Sequence, residues 1–163
     1  HVQLNPRSSD RIGPEAYGPV MELILSAANG SMGQVWVGAA RAAVEHSIDY
    51  AKQRIQGGRP IFEHPSVGSR LFKMFMRVEA ARSLSRRVAY YNASGQNQLQ
   101  YAIASKVFAT NTAFEVTSEA LQIFGGNGLT KEYPIEKLLR DTRASMIEDG
   151  CNELLGIVGA AKL

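Results

Sequence analysis

Three stretches of this chain repeat apolar residues every three or four positions, and glycine or proline interrupts the pattern after each. In the first, Met32, Trp36, Ala39, Ala43, His46 and Tyr50 fall at spacings of 4, 3, 4, 3 and 4, which is one face of a helix. That helix is expected to begin as early as Val20, to be weakened at Gly30 and Gly33, and to end at Gly57-Gly58-Arg59-Pro60. A second helix should start near Pro65-Ser66 and carry Val67, Leu71, Met74, Val78, Ala81 and Val88 to a stop at Ser94-Gly95. Gln96-Asn97-Gln98 reads as a short polar connection. A third helix has Ile103, Val107, Phe114 and Leu121 on one stripe and breaks at Gly125-Gly126-Asn127-Gly128. Pro134 suits the first turn of a short helix, and a last helix runs from about Cys151. No segment alternates with period two for long enough to make a strand. The expected fold is therefore all-α, an up-down antiparallel four-helix bundle with short additional C-terminal helices. Its expected core contains Trp36, Ala43, Leu71, Met74, Val78, Val107, Phe114 and Leu121. Residues 1–16, rich in turn formers, read as a linker, and 17–163 as the bundle domain.

Composition narrows the function classes. The 163 residues fit one domain, and 45% hydrophobic with 20% charged residues is a globular balance. The single Cys151 excludes an intrachain disulfide framework and fits a reducing compartment. No apolar run approaches the roughly 18–20 residues that span a bilayer, so no membrane partner is expected. A net charge of +3 is too mild to demand nucleic acid, and none is expected, while phosphate-bearing ligands stay open. The chain opens on His1 rather than Met, so it is expected to be a fragment of a longer protein.

Few residues offer chemistry by local pattern. His1, His46 and His64 are scattered, and no His or Cys pair has metal-ligand spacing. His46, on the apolar face of the first helix, is expected to be a packed core histidine, and His64 a solvated or helix-start residue. Cys151 opens a helix, which favours a thiolate, but no His stands near it in sequence to act as a base. A small, partly buried residue is the plainer reading. Arg82, Arg86 and Arg87 share a helix face without interleaved aromatics, so a solvated face paired in part with Glu79 is expected. Gly125-Gly126-Asn127-Gly128 has two readings: a backbone that lets a phosphate or a carbonyl-rich ring come close, or simply a helix end. No Lys-Ser/Thr pair follows at P-loop spacing. Glu148-Asp149-Gly150 likewise has two: a general base in a bend, or an Asp that caps the next helix.

Several motifs occur together and in order. Gln122-Ile123-Phe124-Gly125-Gly126-Asn127-Gly128 is followed by Glu132-Tyr133-Pro134-Ile135-Glu136-Lys137, Arg140-Asp141 and Ile147-Glu148-Asp149-Gly150. This series closely resembles the C-terminal signature of acyl-CoA dehydrogenases. Tyr50-Ala51-Lys52-Gln53-Arg54 with Gly58 resembles that family's flavin-contacting helix end, and Ile12-Gly13 with Gly18 resembles its entry segment. The likeness runs from about Ile12 to Leu163. It implies the C-terminal helical domain of a flavoenzyme whose N-terminal helical and middle β domains have no counterpart in this sequence. It further implies FAD bound across a subunit interface of a homotetramer, an acyl-CoA substrate, and an electron-transfer flavoprotein as acceptor. Arg54 falls on the position that contacts the flavin diphosphate. Gln122, Gly125 and Gly126 fall on the loop that approaches the adenosine portion from the neighbouring subunit. Asp149 falls on the position of the base that takes the substrate's α-proton. The implied compartment is the cytoplasm, or the mitochondrial matrix in a eukaryote.

The chain departs from the family pattern at informative positions. Gly57 stands where a Phe often touches the flavin, Pro65 where Gln is usual, and Asn29 where many members have Arg near the substrate end. Asp149 replaces the usual Glu and Cys151 the usual Thr. Nitroalkane oxidase and cyclic acyl-CoA dehydrogenases resemble this chain in using Asp as base. A noncatalytic helical oligomerisation domain is the alternative from another class.

Overall fold

The computed structural model describes residues 13–163. Five α-helices follow one another: α1 (Pro14–Gln53), α2 (Pro65–Ala93), α3 (Leu99–Phe124), α4 (Ile135–Ser145) and α5 (Asn152–Ala160). The architecture is the all-α one expected, in which α1, α2 and α3 pack pairwise, α4 closes the bundle against α3, and α5 also lies on α3. Proline opens α1 and α2 at a position whose N–H has no intrahelical acceptor anyway. The expected linker 1–16 and the entry residue Ile12 fall mostly outside the described residues. Pro14, Glu15 and Ala16 already belong to α1, which thus begins earlier than Val20.

Between α1 and α2 the chain forms a minimal hairpin, β1 (Ile55–Gln56) with β2 (Arg59–Pro60), pairing Ile55 with Pro60 and Gln56 with Arg59. Gly57 and Gly58 turn at φ +64° and +79°, the left-handed pair that a two-residue hairpin turn requires. Two-residue strands are too short to show alternation, so periodicity alone gave no sign of them. A single 3-10 turn, Ile61–Glu63, leads into α2. His64 caps that helix by position, and its Nε2 lies 3.0 Å from the carbonyl of Gln56, tying the hairpin to the start of α2.

The core differs from the expected one in a consistent way. Ala43, Leu71, Met74 and Val78 are buried, and Trp36 and Leu121 pack against them while partly exposed. Val107 belongs instead to a smaller cluster around Leu99, Ile103 and Leu155. Phe114 is only half-buried, with the Arg143 guanidinium 5.7 Å from its ring centre. His46 is exposed, contrary to the packed histidine expected. The buried line of α1 runs through Gly33, Val37, Ala40, Val44, Ser47 and Ala51, one position round from the face of large residues. That of α3 runs through Ala102, Ala109, Ala113, Val116 and Ala120. Small residues let α1 and α3 approach closely, and the large side chains flank the contact. Gly33 is an example: a Cβ there would meet the side chain of Ser105 and stand 3.3 Å from its backbone carbonyl carbon. The glycine that weakens a helix in isolation is needed where this one touches its neighbour.

Candidate functional site

The two regions singled out by sequence lie at different places along α3. At its C-terminal end, Gly125 caps the helix with φ +59° and ψ −140°, a backbone that is open to glycine and closed to side-chain-bearing residues. Its N–H returns to the carbonyls of Leu121 and Gln122. The chain then runs as a 3-10 turn, Gly125–Leu129. A Cβ placed on Gly125 or Gly126 would meet nothing within 4 Å, so the loop presents bare backbone to open space.

Tyr50, near the end of α1, holds this loop. Its ring stacks on Phe124 at 4.1 Å and 19°, and Tyr133 packs edge-on against both. Its hydroxyl donates to the Phe124 carbonyl at 3.3 Å and accepts from Asn127 Nδ2 at 3.0 Å. Arg54, one turn on, ends α1 through its N–H to the Tyr50 carbonyl at 2.8 Å. Arg54, Gln122, Gly125 and Gly126 therefore come together around one concavity of about 230 Å³, with Tyr50, Gln56 and Asn127 also on its wall. A larger hollow of about 530 Å³ continues past Gln56 and Gln122 to Gly57, His64 and Arg70. The Arg54 side chain is exposed and makes no ion pair among the described residues. A free guanidinium and an amide beside a backbone that no side chain screens form a site that fits a phosphorylated ligand.

The second region is the bend between α4 and α5. Asp149 has φ +50°, the only positive φ among described residues other than glycine. Asp adopts this left-handed region more readily than most side-chain-bearing residues do. Cys151, half-buried, is the N-cap of α5, and no side chain caps that helix. The capping alternative for Asp149 is thus not realised, and its carboxylate is exposed. No backbone carbonyl among the described residues receives the Asp149 N–H.

Beneath the bend lies a residue that no motif in the sequence marks. Lys106 of α3 is fully buried, and its Nζ donates to the Gly150 carbonyl at 2.8 Å and to Asn152 Oδ1 at 3.0 Å. Asn152 Nδ2 in turn donates to Thr110 Oγ1 at 2.9 Å and to Asn111 Oδ1 at 3.1 Å. Burial pushes the Lys106 ammonium below its ordinary value, and the charges of Asp149 and Glu148 push it back up. A lysine on the face of small and apolar residues, with Ala102 and Thr110 one turn either side and Ile103 and Ala109 beside it, is the signal that could have found it.

The remaining candidates lie elsewhere. Asn29 is buried between helices, its Nδ2 bound to the Leu25 carbonyl at 2.9 Å. Arg82 pairs with Glu79 at 3.2 Å as expected. Arg87 instead lies over Tyr101 at 4.4 Å and donates to the Tyr91 hydroxyl at 2.9 Å. No group of three His, Cys, Asp or Glu among the described residues is arranged to hold a metal, and no described helix is long and apolar enough to cross a membrane.

Comparison with known proteins adds to this geometry. The family model described as acyl-CoA dehydrogenase, C-terminal domain, matches residues 19–163. An acyl-CoA dehydrogenase of Bacillus subtilis is 39% identical over 139 residues, which are 82% of this chain and 37% of that protein. The butyryl-CoA dehydrogenase of Megasphaera elsdenii superposes with a TM-score of 0.88 at 32% identity, over 95% of this chain and 41% of its own. A structure of PigA with FAD and proline superposes at 0.86 and 28% identity, over 96% of this chain and 41% of its own. The chain thus spans about two-fifths of the length of these relatives.

Proposed function

Because this chain belongs to the acyl-CoA dehydrogenase family, as its C-terminal helical domain, we propose that the complete protein is a flavin-dependent dehydrogenase of acyl-CoA thioesters. The observation that carries this reading is the convergence of Arg54, Gln122, Gly125 and Gly126 on one concavity, although 68 positions separate Arg54 from Gln122 in the chain. In that reading the Arg54 guanidinium neutralises the FAD diphosphate, and the bare backbone of Gly125 and Gly126 lets the adenosine portion come close. FAD, when bound, supplies the acceptor for the hydride that leaves the β-carbon. The PigA structure with FAD supports that choice of cofactor, and the domain's own donor set is compatible with it.

Asp149 acts as the base. Its exposed carboxylate takes the α-proton, and its free N–H donates to the thioester carbonyl, which acidifies that α-carbon. Asp is one methylene shorter than Glu, about 1.5 Å of reach, so the substrate must sit closer to this bend than it would to a Glu. Cyclic acyl-CoA thioesters are the substrate class that this reading favours, since cyclic acyl-CoA dehydrogenases resemble this chain in using Asp as base. The glycine loop serves the flavin of a neighbouring subunit in a homotetramer. The exposed Phe72, Phe75 and Met76 of α2 supply apolar surface for that assembly. An electron-transfer flavoprotein reoxidises the flavin.

The complete protein should purify yellow. Its flavin absorbance should bleach anaerobically with at least one of butyryl-, octanoyl-, isobutyryl- and cyclohexanecarbonyl-CoA. Bleaching by nitroethane and by none of the thioesters would move the reaction to nitroalkane oxidation. Protein that stays colourless after incubation with FAD would leave only an oligomerisation role.

A further inference from the structure

A buried lysine that faces no carboxylate across a salt bridge needs a reason to be there. Taking an ammonium out of water is costly unless hydrogen bonds replace the lost solvation, and an aliphatic residue of similar size would avoid that cost. Lys106 is the largest fully buried side chain among the described residues. It points to neither α1 nor α2 for partners. Its two acceptors are the Gly150 carbonyl, one residue beyond Asp149, and Asn152 Oδ1, in the first turn of α5. The charged and titratable groups that act on its ammonium are Asp149, Glu148, Cys151 and Glu153, and all four belong to the same bend and helix start.

The bend has few other ties. Ile147 and Glu148 donate to the Ala144 carbonyl, and Asn152 donates to the Met146 carbonyl, so backbone bonds close its two ends. Across its middle, Asp149 and Gly150 hold positive φ of 50° and 92°. Glycine takes this region freely and Asp tolerates it, so backbone preference alone does not fix which conformation the pair adopts, and a contact has to select it. The Lys106 bond to Gly150 falls at that point.

We propose that Lys106 is the positioning residue of this bend, its buried ammonium fixing through Gly150 and Asn152 the backbone that presents the Asp149 carboxylate. Asn152 extends the attachment to Thr110 and Asn111, so that three side chains of α3 anchor the start of α5. Lys106 transfers no proton and touches no substrate; it acts through Asp149. The proposal rests on Asp149 as base, and the test separates the two.

The test uses the complete flavoprotein with three variants: Asp149→Asn, Lys106→Met and Lys106→Gln. The substrate is whichever of the four thioesters bleaches the wild-type flavin fastest. Lys106→Met should keep its flavin and bind substrate within about threefold of wild type, while the limiting rate of flavin reduction falls at least tenfold, because misplacing a base by a fraction of an ångström lowers the rate and not the affinity. Amide hydrogens of residues 147–152 should exchange at least tenfold faster, with those of 125–129 unchanged. Lys106→Gln, which keeps a side-chain donor, should lie between Met and wild type in both readings, and it carries the test alone if Lys106→Met does not fold. Reduction and exchange within twofold of wild type in the folded Lys106 variants, with Asp149→Asn inactive, would overturn the positioning role and leave the base in place. Full reduction by Asp149→Asn would remove the base itself. Equal losses of flavin, affinity and exchange protection throughout the domain would make Lys106 a general stability element.

Discussion

The glycine loop at the end of α3 and the Asp149 bend are both short breaks between helices, yet they are held in opposite ways. The glycine loop rests on stacked aromatic rings and on one neutral hydroxyl, that of Tyr50, bridging Phe124 and Asn127. The Asp149 bend is closed at its ends by backbone bonds and tied at Gly150 to a buried charge, the Lys106 ammonium. Eighteen positions of α3 separate Lys106 from Phe124, about 27 Å of helix, so one rod carries a part of each support. In the proposed function the two loops present different groups, bare backbone to a phosphorylated ligand and a carboxylate to a thioester. A carboxylate on a left-handed residue needs a strong, local and directional tie, and an ammonium with several donors provides one.

The largest separation between the two should come from paired variants of the complete enzyme. Asp149→Asn should lower flavin reduction by roughly three orders of magnitude, equivalent to about 4 kcal/mol, with flavin content unchanged in the absorbance spectrum. Arg54→Ala should do the reverse, losing flavin on gel filtration while added FAD restores turnover. If both variants lose flavin equally, the two regions are one site and the comparison collapses.

Next in size is the aromatic floor. Tyr50→Ala removes a ring stacked on Phe124 and packed by Tyr133, and should cost about 3 kcal/mol in urea unfolding. Flavin affinity should fall with it, and hydrogen exchange at 125–129 should rise while the 147–152 bend is unaffected. Tyr50→Phe keeps the ring and removes only the bridging hydroxyl, so about 1 kcal/mol is expected by the same measurement. A Tyr50→Phe loss as large as that of Tyr50→Ala would mean that the hydroxyl, not the stack, carries the loop.

The smallest effect marks the background. Arg140 and Glu136 pair across one exposed turn of α4, at 2.9 Å and 3.2 Å. Arg140→Gln should shift stability by no more than about 0.5 kcal/mol and leave flavin reduction unchanged. A large kinetic effect there would extend the functional bend back into α4.

Much of this was legible in the chain. The order of helices, their breaks and the short helix after Pro134 follow from apolar spacing and from the punctuation of Gly and Pro. The four residues around the glycine concavity were legible from motif resemblance, since the motifs carry the residue types and the order. Less legible was which side of each helix faces inward. Spacing points to the face of Met32, Trp36 and His46 on α1, whereas the buried line runs through Gly33, Val37, Ala40 and Ser47. A close helix pair selects small residues, which turns the face of large ones and His46 with it away from the contact, so His46 lies in solvent.

The sequence by itself determined that this is a helical domain of the acyl-CoA dehydrogenase family, because local periodicity and ordered motifs are properties of neighbouring residues. Tertiary structure alone decided the rest. Tyr50 meets Asn127 across 77 positions and Lys106 meets Gly150 across 44, and no local pattern encodes such distances. Whether Lys106 is a solvated charge or a buried tie depends on which face of α3 the other helices cover. That choice is made by the packing of small residues along the whole rod, and it exists only once the helices have come together.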